Sequence, residues 1–194
     1  LGNTPAFPVT YLGAIAAGIV PVPTSAMLTA AETTRLARSV RPAAIVADPG
    51  VPLPDHPAPV IDDRRLAGFA DLPPADFAQG SPDRLAYIVF TSGTSGQPRA
   101  VCHAHRAILA RLMMFQGWYG LTPQDRLLHA GAFNWTFTLG TGLMDPWTLG
   151  ATALIPAQGV APEQIPLLAS RHGATLIAAA PGVFRRMLRA DWKP

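Results

Sequence analysis

The sequence runs to 194 residues, 49% of them hydrophobic and only 14% charged: enough chain for one well-buried domain, but lean on charge for a free-standing surface. Fifteen Lys and Arg against twelve Asp and Glu leave a scattered net charge of +3, which suits small anions and excludes a nucleic-acid surface. One cysteine, Cys102, excludes an internal disulfide framework and fits a cytoplasmic location, and the longest apolar run, 136–155, is broken by Asp145 and Pro146 and so spans no membrane.

In chain order, Leu1-Gly2-Asn3 reads as the end of a strand entering a turn, so the chain is expected to start within a fold. Asn3 or Thr4 is placed to cap a helix with Pro5 at its first turn; Phe7, Tyr11, Leu12 and Ile15 recur at helical spacing, and Gly18 stops it. Residues 19–23, Ile-Val-Pro-Val-Pro, read as a short strand. Thr29 and Glu32 form a capping box for a helix over 30–40, followed by a strand over 43–47. Five prolines make 48–59 an extended connector, 60–61 a short strand, and 62–83 a polar surface loop with one helical turn.

The runs 85–90 and 100–103 read as an antiparallel hairpin, and 105–117 as a helix with Ile108, Leu109, Leu112 and Met113 or Phe115 inward. Then come a turn at 122–125, a strand at 126–130, a helix at 138–149, a strand at 151–155, a helix at 162–171, a strand at 175–179 and a last helix at 182–190. The alternation predicts an α/β fold of layered sheets with flanking helices. It divides into a first α/β unit (1–61), an internal linker (62–84), and a hairpin with a second α/β unit (85–194).

The most informative stretch is Tyr87-Ile-Val-Phe-Thr-Ser-Gly-Thr-Ser-Gly-Gln-Pro-Arg99. Its apolar run stops at Thr91 and gives way to hydroxyls and glycines, closed by Pro98 and a cation. Glycines let backbone N–H groups converge, hydroxyls donate to anionic oxygens, and Arg99 adds a planar charge. On residue types alone it reads as a phosphate-wrapping loop or as a polar surface loop. It is not a Walker loop, which would need glycine at position 98 and then lysine; position 98 is Pro.

The whole string resembles the signature loop of the AMP-forming adenylating enzymes: acyl-CoA synthetases, luciferases and peptide-synthetase adenylation domains. Their pattern, approximately [YF]-T-S-G-[ST]-T-G-x-P-K-G, is matched at Thr91, Ser92, Gly93, Thr94, Gly96 and Pro98. Ser95 stands for Thr and Arg99 for Lys, keeping hydroxyl and charge, whereas Ala100 replaces a glycine at the loop exit. Ala17-Gly18-Ile-Val-Pro-Val-Pro23 and Ile45-Val-Ala-Asp48 also resemble family segments. The resemblance implies part of an acyl-CoA synthetase N-terminal domain.

By this resemblance, Thr91, Ser92, Gly93, Thr94, Ser95, Gly96 and Arg99 hold the phosphates of ATP, and Phe133, Asn134, Trp135 and Thr136 line the acyl pocket. These four lie in Gly131-Ala-Phe-Asn-Trp-Thr-Phe-Thr-Leu-Gly140, where relatives often carry a histidine that this chain lacks. The implied reaction uses ATP, Mg2+ and CoA on a fatty or aromatic carboxylic acid. A peptide-synthetase adenylation domain is the runner-up; such domains place an Asp in the pocket segment, and the nearest acid here is Asp145.

The family's later tyrosine–glycine–threonine–glutamate motif, ribose-binding Asp and lysine-bearing C-terminal domain have no counterpart in these residues, so no catalytic residue is assigned and the piece is expected to be inactive alone. A non-catalytic phosphate-binding or assembly module, pairing with itself or with missing domain segments, is the alternative from another class. Cys102, His103 and His105 lie close in sequence, but strand alternation sends the first two to opposite faces, so no metal site is expected. His129 and His172 read as structural, and the arginines at 185, 186 and 189 as a solvated helix face.

Overall fold

A computed structural model describes residues 1–92 and 98–189. Helix α1 spans Ala6–Ala16 and buries Phe7, Tyr11 and Ile15, the stripe that the spacing predicts. Its N-cap is Pro5, with no side-chain cap bond; Asn3 is used elsewhere. Helix α2, Ala30–Val40, begins at the expected capping box. Glu32 N donates to Thr29 Oγ1 at 3.3 Å, and Thr29 N donates to Glu32 Oε2 at 2.8 Å. The predicted strand at 19–23 does not form. Pro21 and Pro23 have no N–H to give a ladder, and the segment's link to a strand is one bond, from Ile88 N to Pro21 O at 3.1 Å.

Strands β1 (Ile45–Val46) and β2 (Val60–Ile61) pair in parallel, joined by the proline-rich connector. One short helix, α3 (Asp63–Ala67), interrupts the polar segment that follows. The hairpin of β3 (Leu85–Ser92) and β4 (Pro98–Ala104) is antiparallel, with Thr91 opposite Arg99 and Ser92 opposite Pro98. Tyr87 stacks on His103 with ring centroids 4.4 Å apart, while Cys102, on the other face, is exposed.

The single helix expected over 105–117 is three short pieces: α4 (His105–Ala110), a 3-10 turn (Arg111–Met114) and a π-turn (Phe115–Tyr119). The change of winding swings Phe115 into the core and leaves Leu109, Leu112 and Met113 exposed, against the inward face that regular spacing predicts. Likewise 138–149 begins as a π-helix (Thr138–Met144) and tightens to α5 (Asp145–Leu149).

Strands β5 (Arg126–His129), β6 (Thr152–Leu154) and β7 (Leu176–Ala178) form a parallel sheet in the order β6-β5-β7. Helices α6 (Ile165–Arg171, after a 3-10 turn at Pro162–Gln164) and α7 (Pro181–Arg189) complete the described chain. Leu127 and Leu128 point to opposite faces of β5 and seed separate apolar clusters. The largest cluster joins α1 to the hairpin and the π-helix through Phe7, Tyr11, Tyr87, Val89, Phe133, Leu139 and Leu143. No described helix is long and apolar enough to cross a membrane.

Candidate functional site

Parallel strands direct their carboxyl ends to one edge, and the loops that leave β5, β6 and β7 meet there. They border a cleft of about 340 Å3 lined by Ala130–Asn134 after β5, Pro156–Val160 after β6, Val183 of α7, and Thr24–Met27 from the first unit. Asn3 holds this edge together. Its Nδ2 donates to Gly131 O at 2.9 Å and to Pro156 O at 3.0 Å, and its Oδ1 accepts from Phe133 N at 3.2 Å. The loops after two neighbouring strands are thereby tied to the turn that starts α1. Sequence reading offered Asn3 as a cap, and nothing local signals its distant partners.

The expected acyl-pocket residues do not share one wall. Phe133 is buried, its ring parallel to Phe7 at 4.4 Å. Phe133 and Asn134 line the cleft, Thr136 is half-buried, and Trp135 is exposed. Of the expected phosphate residues, Thr91 and Arg99 are exposed on facing strands at the open end of the hairpin. Ser92 ends β3 opposite Pro98. Gly93, Thr94, Ser95 and Gly96 lie outside the described residues.

A second cavity, about 250 Å3, opens on the face of β5 and β7 between Trp118, Tyr119, Leu127, Phe137, Thr141, Leu176–Ala179 and Phe184. It adjoins a buried polar cluster that sequence reading missed. Asp145 is 1% exposed and takes both ends of the Arg111 guanidinium, Nε to Oδ1 at 2.5 Å and NH2 to Oδ2 at 2.6 Å. Tyr119 O–H donates to the same Oδ2 at 2.5 Å, and Arg111 NH2 also donates to Thr141 Oγ1 at 3.2 Å. Burial works against the charge of Arg111, but hydrogen bonding and attraction from Asp145 outweigh it and raise its pKa. Burial, then the bond to Asp145, pushes the Tyr119 phenol well above the usual tyrosine range. The π-helix admits this arrangement at Gly140, where any Cβ would collide with the guanidinium.

On the helix's other side His129, at the end of β5, packs edge-on to Phe137 with centroids 4.5 Å apart. Both its ring nitrogens and Thr138 Oγ1 are buried without a protein hydrogen-bond partner. Burial pulls the His129 pKa down to about 4, so the ring is neutral. Gly142 makes room: a Cβ there would lie 2.7 Å from His129 Cβ. Among the described residues no three His, Cys, Asp or Glu side chains gather to hold a metal ion, and Asp145 is already engaged.

The chain belongs to the AMP-binding enzyme family, whose model matches residues 1–194. It is 33% identical over 111 residues to a 3-hydroxybenzoate–CoA/4-hydroxybenzoate–CoA ligase of Thauera aromatica, covering 57% of this chain and 21% of that protein. It is 27% identical over 198 residues to a benzoate–CoA ligase of the same organism, covering 94% and 38%. The fold superposes on a benzoate CoA ligase from Burkholderia xenovorans LB400 with a TM-score of 0.87 at 23% identity, covering 97% of this chain and 40% of that one. The chain thus spans well under half the length of these relatives.

Proposed function

We propose that these residues are the part of an AMP-forming ligase that holds the phosphates of ATP and the body of an aromatic carboxylic acid. The observation that carries this is the hairpin that sets Thr91 opposite Arg99 at either end of a hydroxyl- and glycine-rich stretch of sequence, within a chain of the AMP-binding family. In the first step a carboxylate oxygen attacks the α-phosphorus, the bond from that phosphorus to the bridging oxygen breaks, and pyrophosphate leaves. Thr91, Ser92, Gly93, Thr94, Ser95, Gly96 and Arg99 serve as donors to the β- and γ-phosphates, on which charge accumulates. In the second step a thiolate, that of CoA by analogy with the named ligases, attacks the acyl carbon and AMP leaves.

The acid's ring occupies the cavity between Phe137 and β7, and the segment Phe133–Thr136, whose Phe133 and Asn134 line the cleft, positions its carboxylate. Aromatic rather than fatty acids are favoured by the cavity's size and by the benzoate and hydroxybenzoate named for the relatives. Mg2+ would screen the phosphates when bound; among the described residues no three His, Cys, Asp or Glu side chains gather to hold it, and no step here depends on it. The peptide-synthetase alternative is disfavoured because Asp145 is 1% exposed, is bonded to Arg111 and Tyr119, and lines neither cavity where a substrate amine would sit.

The test is ATP–pyrophosphate exchange by the complete gene product that carries these residues, with and without benzoate-type acids. Exchange that depends on the acid, reduced about tenfold to hundredfold in Arg99→Ala, is the expected result. Absence of exchange with any acid overturns the ligase reading in favour of a non-catalytic module; exchange unaffected by Arg99→Ala removes Arg99 from the phosphate site.

A further inference from the structure

We propose that Tyr119 and Thr141 form a polar end to the second cavity that selects aromatic acids bearing a hydroxyl or amino group on the ring over the unsubstituted acid. The proposal rests on the ligase reading above and names the substrate class for that site. Of the residues lining this cavity, Tyr119 and Thr141 alone carry polar side-chain atoms, apart from the indole N–H of Trp118. The burial gradient separates mouth from base. Trp118 is 62% exposed and Phe184 37%, whereas Leu127 is 1% and Thr141 5% exposed. At about 250 Å3 the cavity is smaller than the roughly 300 Å3 at which drug-sized pockets begin, and suits a single ring.

Both hydroxyls are fixed from behind. The Tyr119 O–H is committed as donor to Asp145, so its oxygen offers the cavity only an acceptor. Thr141 Oγ1 accepts from Arg111, which leaves its proton to give. An acceptor on Tyr119 and a donor on Thr141, both among the residues lining one cavity, fit a group that both donates and accepts, which is what a ring hydroxyl does and what an aniline nitrogen does more weakly. A bare ring would leave the acceptor side of the Tyr119 oxygen and the Thr141 proton unmatched, and unmatched polar capacity in a water-excluded site discriminates against the ligand that causes it. The Arg111–Asp145 pair therefore acts as a positioning element: it touches no substrate but sets which hydroxyl donates and which accepts.

The experiment is the ratio of kcat/KM for hydroxybenzoates and aminobenzoates to that for benzoate, read within each variant of the complete gene product so that a general loss of activity cancels. The native protein should prefer at least one hydroxy- or amino-substituted isomer about tenfold or more. Tyr119→Phe and Thr141→Val should each bring the ratio to within about threefold of unity, and Thr141→Ser, which keeps the hydroxyl, should restore it. A native preference for benzoate, or a ratio that both variants leave unchanged, overturns the proposal while the ligase reading stands. No exchange with any acid overturns both. Should Tyr119→Phe fail to fold, the Thr141→Val and Thr141→Ser pair decides.

Discussion

Two buried polar groups flank the Thr138–Met144 helix, and they are accommodated in opposite ways. On one face Asp145 distributes its oxygens between Arg111 and Tyr119, and every member of the cluster is bonded. On the other face His129 and Thr138 are buried with no protein partner. The difference lies in what each group can do with its charge. The Asp145 carboxyl is held by three donors, whereas an imidazole that finds none can shed its proton and become a small, nearly apolar ring. Each rests on a glycine of the same helix, Arg111 against Gly140 and His129 against Gly142.

The paired side should break hardest. Asp145→Ala leaves a mostly buried guanidinium without its partner, and equilibrium denaturation should show a loss of about 3–5 kcal/mol. Replacing both partners, Arg111→Met with Asp145→Leu, should recover most of that loss; a double variant as unstable as the single one would show that the pair itself contributes net stability. On the unpaired side the effect is set by pH. Below the ordinary value of 6.5 the unfolded chain binds a proton that His129 in the fold refuses until about pH 4. Stability from this group is therefore full above pH 6.5 and falls as pH drops towards 4, by about 3 kcal/mol in all. His129→Leu should flatten that part of the acid limb of a pH-dependent unfolding curve.

Asn3 offers an intermediate case, polar and paired but uncharged. Asn3→Ala strands two carbonyls and one N–H at the cleft edge and should cost about 1–3 kcal/mol in thermal or urea unfolding. The mildest change is Thr138→Val, which removes an unpartnered hydroxyl without changing shape. It should be neutral, or stabilising by up to about 1 kcal/mol, and a larger loss in the same measurement would mean that the hydroxyl has a partner after all.

What the sequence made legible follows the range of each signal. The capping box at Thr29 and Glu32 sets the start of α2, and the apolar run broken at Thr91 sets the hairpin, because both signals lie within a few residues. The helix expected over 105–117 divides because tertiary burial of Phe115 and the anchoring of Arg111 and Tyr119 to Asp145 override local periodicity. The strand expected at 19–23 fails because prolines cannot donate. The candidate site divides in the same way. The proposed phosphate stretch is one contiguous string in the sequence, whereas the second cavity gathers residues from 118 to 184 that share no pattern. Asp145 and Arg111 stand 34 residues apart, and no local pattern joins them in the sequence.

Asn3 also bears on the order in which this molecule comes together. Its bonds close loops of 128, 130 and 153 residues, so they cannot exist until the loops after β5 and β6 have been made. During synthesis from the N-terminus, α1 and α2 can wind early from local signals, while the asparagine waits unpaired for partners more than a hundred residues downstream. The cleft edge is therefore a late product of folding, latched by one of the first residues of this segment to leave the ribosome.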